Sequence, residues 1–349
     1  MKEIRKINQV VATECAVSSP EFKDNQDALK GMLGDFDSEP GYYKQVIKPM
    51  LIAGHENELV YWLKELGLIK NEFFCPKAQT GTCMKMMSWT QARNNDMYQW
   101  KCSRCDEKRS IREDSIFLNV KCSFKNAIRI LLAWSKGSDI DSMALMLGVK
   151  RPVVSMLYKK AGLVAQKYIT YNTSEWGLGG PGKIVLVDTY PEMCLGSTET
   201  REPKPILCIA EAKTVPQKYW FELLQPYRRT NQEHLQLVRK HILSSVKRIV
   251  APGSILIVPS SSILCSHADF LDLKYLYPLI IGIDDLGRHD DEHRTIAGIL
   301  DIIWREAVNI CEEAQGYGHE LISQYIIGRM WRQRYGNNAF EMLVYQLGL

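Results

Sequence analysis

The chain has 349 residues, of which 46% are hydrophobic and 24% are charged, an ordinary globular composition. That composition excludes a disordered tail, a collagen-like fibre and a low-complexity linker. The length is enough for two or three domains of roughly 100–200 residues each. No apolar run reaches the ~18 residues that a membrane-spanning helix needs, and no apolar signal core follows the charged first residues. We therefore expect no membrane partner and no secretion.

The charge and the cysteines point to particular kinds of partner. Ten cysteines in a chain without a secretion signal favour thiols or a metal site over a disulfide framework. The net charge of +4 is uneven, because residues 101–170 hold fourteen Lys or Arg against six Asp or Glu, a balance of +8 that leaves −4 elsewhere. Such a basic segment favours contact with a polyanion. Solvated helix faces that happen to be basic explain the charge equally well.

In chain order, the sequence indicates three parts before a domain boundary. Residues 1–55 mix acidic patches with few periodic apolar positions, so this part is expected to be partly irregular. Residues 56–120 contain an amphipathic helix over 56–69, ending near Gly67, and then a small cysteine-bearing β unit. Residues 121–176 are typical of helices. The Gly/Pro-rich stretch 177–182 is the predicted domain boundary.

The part after the boundary, residues 183–349, predicts a mixed α/β domain. Strands first, then a helix between strands, and finally helices give the multi-domain chain an α/β class. The helix between strands is predicted over residues 231–246, and the end of the chain is helical from about residue 295. The predicted strands are residues 184–187, 206–210, 219–224 and 255–258.

Four cysteines in the predicted β unit suit a metal site. They are Cys75, Cys83, Cys102 and Cys105. Tetrahedral zinc takes four such ligands from two turns, and a Cys-x2-Cys pair supplies one of them. The first pair is irregular, because Ala78 stands where the usual second cysteine would lie. We interpret the set as a structural zinc site, with a decayed ribbon of buried thiols as the alternative.

Residues 139–160 predict a helix-turn-helix. The small Ala144 permits a close helix crossing, and Gly148 supplies the positive φ of the turn. Val154 would pack the second helix on the first, and Pro152 suits a first helical turn. A basic second helix of this type enters a DNA major groove, whereas the alternative is a helical hairpin that only packs. The residues it would present are Lys150, Arg151, Ser155, Lys159 and Lys160.

Several segments together carry a resemblance to a known family. They are residues 58–69, Cys75 with Pro76, residues 98–105, and residues 108–117, in which the arginine-serine-isoleucine-arginine block at 109–112 is the most specific part. With the order of the parts, they resemble Merlin-superfamily transposases, eukaryotic relatives of a bacterial insertion-sequence group. The resemblance covers about residues 56–310. It implies a zinc ribbon, a helix-turn-helix and an RNase H-like domain with an acidic metal-binding triad.

The triad implied by the resemblance is degenerate in this sequence. The first family Asp matches Asp188, although the Glu that usually follows is absent. Where the family has its second Asp, this chain has Pro259, which offers no side-chain oxygen to a hard cation. The third position matches Asp301, three residues before Trp304. Because a two-metal site needs several carboxylates, we expect no enzyme activity and treat these residues as remnants.

The expected protein is therefore a domesticated, catalytically inactive transposase that acts in the nucleus. Its ribbon and helix-turn-helix would bind duplex DNA or chromatin, and its RNase H-like body would dock other nuclear proteins or form a homodimer. A pure protein-interaction scaffold without DNA binding is the main alternative, and an active transposase or nuclease is a third. In the ribbon, the residues expected to contact phosphates are Lys101, Arg104, Lys108, Arg109 and Arg112.

Overall fold

The computed structural model describes residues 46–78, 83, 85–191, 204–212, 217–227, 231–286 and 291–348. Most of the predicted irregular region at the start, residues 1–45, lies outside this described part. The described chain divides into two compact units. One contains residues 46–164 and 337–348, and the other contains residues 165–336. This division differs from the predicted boundary at 177–182.

The first unit joins helices to a three-stranded antiparallel sheet, which we call the ribbon. Its elements are α1 (Lys48–Met50), α2 (Glu56–Glu65), β1 (Ser88–Gln91), β2 (Tyr98–Lys101), β3 (Lys108–Ser110), α3 (Phe124–Lys136), α4 (Ile140–Leu147) and α5 (Arg151–Tyr171). Helix α5 continues into the second unit. The amphipathic helix predicted over 56–69 is confirmed as α2, and Gly67 follows it with a φ of +72°.

The second unit is built around one mixed sheet. Its elements are β4 (Leu178–Gly179), β5 (Ile184–Tyr190), β6 (Ile206–Glu211), β7 (Lys218–Leu223), α6 (Gln232–Ile249), β8 (Val250–Ala251), β9 (Ile255–Val258), α7 (His267–Phe270), β10 (Leu279–Gly282), α8 (Asp291–Gln315) and α9 (His319–Tyr335). The last helix, α10 (Ala339–Leu347), returns to the first unit and packs against α3. The prediction had assigned this end of the chain to the α/β domain.

The sheet of the second unit has the order β10-β9-β5-β6-β7. Strands β5, β6 and β7 form an antiparallel meander, and β9 and β10 run parallel to β5. Strand β6 is buried along its whole length, and β5 is buried after its first residue. Central strands covered on both faces are continuous apolar runs, which is why the sequence predicted them. The mixed α/β class is confirmed, whereas the short strand β10 was not predicted.

The Gly-rich stretch 177–182 is bound into the second unit. The Gly179 N–H donates to Glu211 Oε2 at 2.8 Å, and Lys183 Nζ donates to the other oxygen of Glu211 at 2.9 Å. Gly179 has a φ of +80°, and a Cβ there would lie 2.3 Å from Ser254 Oγ. Only glycine fits this close approach. The glycines therefore serve packing inside one unit and do not mark a linker.

Arg112 joins the ribbon to α3 from a buried position. Its side chain binds both oxygens of Asp96, at 2.7 and 2.5 Å, and donates to the carbonyls of Val120 and Cys122 at 2.5 and 2.8 Å. The guanidinium also lies 4.4 Å from the ring centre of Phe124, the first residue of α3. Arg112 is only 8% exposed. A buried charge of this kind is tolerated because it is paired with a carboxylate and hydrogen-bonded to two carbonyls.

Replacing Arg112 is expected to destabilise the first unit strongly. The change Arg112→Ala leaves Asp96 buried without its partner, so the free energy of unfolding should fall by about 3–5 kcal/mol. Chemical denaturation followed by circular dichroism measures this change. Arg109→Ala, at an exposed position three residues earlier, is the matched control and should stay within about 0.5 kcal/mol of the parent. Equal denaturation midpoints for the two variants would contradict the role of Arg112 in joining the ribbon to α3.

Candidate functional site

The four predicted metal ligands lie together at one end of the ribbon. The Sγ atoms of Cys75 and Cys105 are 3.5 Å apart, and those of Cys83 and Cys102 are 3.6 Å apart. All four sulfur atoms lie within 4.8 Å of one another. Tetrahedral zinc with Zn–S bonds of about 2.3 Å places its sulfur ligands about 3.8 Å apart. The cluster is therefore compatible with a zinc site.

The local backbone explains how the irregular first pair reaches the cluster. The Cys75 N–H donates to the carbonyl of Lys85 at 3.0 Å, and the Cys83 N–H donates to the carbonyl of Lys77 at 3.3 Å. These bonds bring Cys83 back beside Cys75 although Ala78 occupies the usual ligand position. The longer spacing that the sequence left in doubt therefore still brings the two thiols together.

The turn after β2 favours a thiolate at Cys102. Hydrogen bonds from the backbone N–H groups of Cys105 and Arg104 lower the pKa of Cys102 to about 6. Burial acts in the opposite direction at Cys75, where it raises the pKa to about 12. Zinc binds the thiolate form of cysteine, and a bound cation favours that form at every ligand. The turn thus resembles the ligand turn of a structural zinc site.

The remnants of the implied triad lie in the second unit and have structural partners. Asp188 lies in β5, is 2% exposed, and accepts the Thr189 N–H at 2.6 Å. Pro259 directly follows β9, and its carbonyl accepts the His267 N–H at 2.8 Å. Asp301 lies on α8 and pairs with Arg305 at 2.6 Å. Among the described residues, only the four cysteines form a group of three or more possible metal ligands of the His, Cys, Asp or Glu type.

Helices α4 and α5 form the predicted pair with a tight turn. Asp139 caps α4 by accepting the Ser142 N–H at 2.7 Å. Gly148 ends α4 in the left-handed region at φ +60°, a conformation that glycine adopts without steric cost. Val154 is fully buried and Ala144 is 8% exposed. Gly148 therefore makes the predicted turn, and the two residues predicted to pack the helices together are both buried.

The start of α5 presents a basic row to solvent. Arg151, Ser155 and Lys159 are spaced by four residues, so they share one side of the helix. Lys150, Arg151 and Lys159 are exposed, and Ser155 is half-exposed. Arg151 forms an ion pair with Asp141 at 2.5 Å, with both side chains more than 60% exposed. Such exposed pairs are weak, so the side chains of this row can still contact an anion.

Two residues predicted to contact DNA form hydrogen bonds within the first unit instead. Lys160 Nζ donates to the carbonyls of Ile116 and Leu118, both at 2.7 Å, and burial lowers its pKa. Arg112 is buried and binds Asp96. Arg112 is 8% exposed, Lys160 is half-exposed, and both already donate to acceptors within the first unit, which disfavours them as DNA contacts. Basic residue type alone had assigned them to the surface.

The other ribbon residues of the predicted set remain on the surface. Lys101 of β2 lies directly opposite Lys108 of β3, and Arg104 and Arg109 are exposed. Lys101 pairs with Asp106 at 3.0 Å. Like charges placed opposite each other on a sheet repel. A bound anion would relieve this repulsion.

In the sequence, the C-terminal helices offer two interpretations: an exposed surface for a protein partner, which would support the scaffold alternative, or ordinary core. The residues concerned are Tyr325, Ile326, Trp331, Tyr335, Phe340 and Tyr345. Ile326, Trp331 and Phe340 are each at most 2% exposed. The hydroxyl of Tyr325 hydrogen-bonds to the carboxylate of Glu313. These residues are mainly core, which was the other interpretation of this region.

An aromatic cluster that was not predicted lies on the face of the ribbon opposite Lys101 and Lys108. Trp89 of β1 and Tyr98 of β2 have ring centres 5.3 Å apart, and Tyr61 of α2 lies 6.2 and 6.1 Å from them. Lys64 Nζ lies 4.2 Å from the ring centre of Trp89. The alternation of aromatic residues at 89, 98 and 100 was the available signal. From the sequence alone, Tyr98 and Trp100 are interpreted only as residues that pack the small ribbon.

No family model and no curated protein matches the chain. Within the described residues, no helix has both the length and the apolar character needed to cross a membrane.

The cysteine cluster predicts one zinc ion per chain. Cys105→Ser should lose the metal and destabilise the ribbon, because three thiolates and a hydroxyl hold zinc much less tightly than four thiolates. Metal content of the purified protein by mass spectrometry and thermal unfolding test this. Cys122→Ser is the matched control, since Cys122 is half-buried in the same unit and outside the cluster. Zinc retained in Cys105→Ser, or lost equally in both variants, would contradict the assignment.

Proposed function

We propose that this protein is a domesticated, catalytically inactive, transposase-derived nuclear protein that binds duplex DNA or chromatin. The observation that carries the proposal is the exposed row Arg151, Ser155 and Lys159, with Lys150, at the start of α5. This helix follows a tight turn at Gly148, as the second helix of a helix-turn-helix does. Its cationic side chains suit phosphates, and Ser155 suits a base edge or a phosphate oxygen.

The ribbon contributes a second basic surface in the same unit. Lys101, Arg104, Lys108 and Arg109 lie on or beside β2 and β3 and are expected to contact phosphates. The zinc that we propose for the four cysteines has a structural role, because four thiolates leave no open coordination position for substrate. The metal would hold this surface in shape, since so small a sheet buries little core of its own.

The second unit is interpreted as the RNase H-like body that the resemblance implies. Its antiparallel three-stranded meander, with two further strands added parallel to β5, is compatible with that type of domain. Asp188 lies on the central strand β5 and Pro259 directly after the neighbouring strand β9, which are the places implied for the first two triad residues. The body would dock other nuclear proteins or form a homodimer. The nuclear location also follows from the resemblance.

The proposed lack of catalysis rests on the chemistry of the implied triad. Pro259 has no side-chain oxygen, and Asp301 is already paired with Arg305. Mg²⁺ needs oxygen ligands in near-octahedral geometry. A pair of such ions needs several carboxylates to stabilise the attacking and leaving oxygens of a phosphoryl transfer. These residues do not offer that set.

Neutralising the α5 row is expected to weaken duplex binding in a salt-dependent way. In the triple variant Lys150→Gln, Arg151→Gln and Lys159→Gln, the slope of log affinity against log salt should fall by about three, one per lost phosphate contact. Fluorescence anisotropy with a mixed-sequence duplex across a salt series measures the slope.

The matched control removes the same charge from the second unit. Lys240, Lys247 and Lys274 are exposed there, and replacing all three with Gln should leave the slope unchanged. Equal slopes for the parent and the α5 variant would show that these residues do not contact the duplex. No duplex binding by the parent even at low salt would overturn the proposal and leave the protein-scaffold alternative.

The inactive triad predicts no metal-dependent cleavage of DNA. Supercoiled plasmid incubated with the full chain and Mg²⁺ or Mn²⁺ should be nicked no faster than with Asp188→Ala, because the second carboxylate is missing at Pro259. Gel electrophoresis of the plasmid measures nicking. Cleavage that requires the metal and disappears in Asp188→Ala would establish an active nuclease instead.

A further inference from the structure

A solvent-open hollow lies between the first turn of α2 and the loop that joins β1 to β2. Its volume is about 370 Å³, within the ~300–1,000 Å³ typical of small-molecule sites. The hollow lies wholly in the first unit. Its lining residues are Asn57, Gln91, Ala92, Arg93, Met97 and Tyr98.

The lining side chains match the chemistry of a nucleobase. Tyr98 offers an aromatic ring for stacking. Asn57 and Gln91 each carry an amide with both donors and an acceptor, which is the group that pairs with the edge of a base. The guanidinium of Arg93 is exposed and can bind the attached phosphate. A ring, two amides and a cation around one hollow are the groups by which proteins hold unpaired bases.

The hollow is held in shape by its own hydrogen bonds. The Ala92 N–H donates to the Met97 carbonyl at 2.8 Å, and Met97 itself has a φ of +64°. A left-handed residue other than glycine persists only where its surroundings hold it. The Tyr98 hydroxyl donates to Asn57 Oδ1 at 3.1 Å, which leaves the Asn57 amide nitrogen for a ligand. Asp96 in the same loop is bound by Arg112, so its charge is already compensated.

We propose that this hollow binds one unpaired nucleobase of a DNA strand. Its occupant must be unpaired, because stacking on Tyr98 and pairing with Asn57 or Gln91 need a free base face and a free base edge. A base inside a duplex offers neither until it leaves the stack. This inference rests on the proposed DNA association and deepens it, since it adds a site for strand ends or exposed bases to the duplex contacts of α5.

Two DNA strands of equal charge separate base binding from phosphate binding. One labelled single strand carries bases throughout, and the other has abasic residues at its centre. The full chain should bind the base-bearing strand about tenfold or more tightly, which is the usual contribution of one stacked base. Tyr98→Leu should abolish this preference, whereas Tyr98→Phe should keep most of it. Phe74→Leu is the control, because Phe74 is 59% exposed in the same unit and outside the hollow.

A second variant tests the base site even if Tyr98→Leu disturbs folding. Gln91→Ala, at an exposed position, should lower the preference without disturbing the core, so it provides the test should Tyr98→Leu lose its zinc or unfold early. Equal binding of the two strands by the parent, or a preference unchanged in both Tyr98→Leu and Gln91→Ala, would overturn the base site.

Duplex binding distinguishes this failure from failure of the proposed function. Duplex binding by the parent that depends on Lys150, Arg151 and Lys159, with equal binding of the two single strands, would overturn the base site alone. A base preference lost in Tyr98→Leu, with no duplex binding by the parent, would support the base site and overturn the duplex-binding role of α5.

Discussion

The architecture of the first unit depends on the buried guanidinium of Arg112. This one side chain binds a carboxylate in the β1–β2 loop, two carbonyls of the segment before α3, and the face of the Phe124 ring. Without it the Asp96 carboxylate would be left buried and without its cationic partner, and buried unpaired charge is among the costliest defects in a protein. The loop of a small sheet and the start of a long helix are therefore fixed by the same residue.

The ribbon is consequently held at both ends by different chemistry. The four cysteines lie at the end where β2 turns into β3, and the Arg112–Asp96 pair holds the loop at the other end. Strand β2 spans the two and carries Tyr98 on one face and Lys101 on the other. The two ribbon surfaces proposed to contact DNA are thus on a backbone fixed before binding, and such preorganisation lowers the ordering cost of association.

The sequence predicted features that depend on local patterns better than those that depend on distant partners. Patterns of apolar residues predicted α2 and the strands β5, β6, β7 and β9. The cysteine spacing predicted the cluster of four thiols. Arg112 and Lys160 were placed on the surface because their acceptors, Asp96 and the carbonyls of Ile116 and Leu118, are 16 to 44 residues away in the chain. The return of α10 to α3, and the two amides that line the hollow with Tyr98, likewise arise only when the chain folds.

Ion pairs between basic and acidic residues of the basic segment affect how strongly it would bind DNA. Arg151, Lys101 and Arg109 each have an acidic neighbour, respectively Asp141, Asp106 and Glu107, of which Asp141 and Asp106 are exposed. A phosphate can displace an exposed neighbour at little cost, because exposed ion pairs contribute less than about 1 kcal/mol. The displaced carboxylates nevertheless stay close to the DNA backbone and repel it, which disfavours loosely placed complexes more than closely fitted ones. The proposed interface should therefore discriminate between DNA sites more sharply than its local charge of +8 over residues 101–170 indicates.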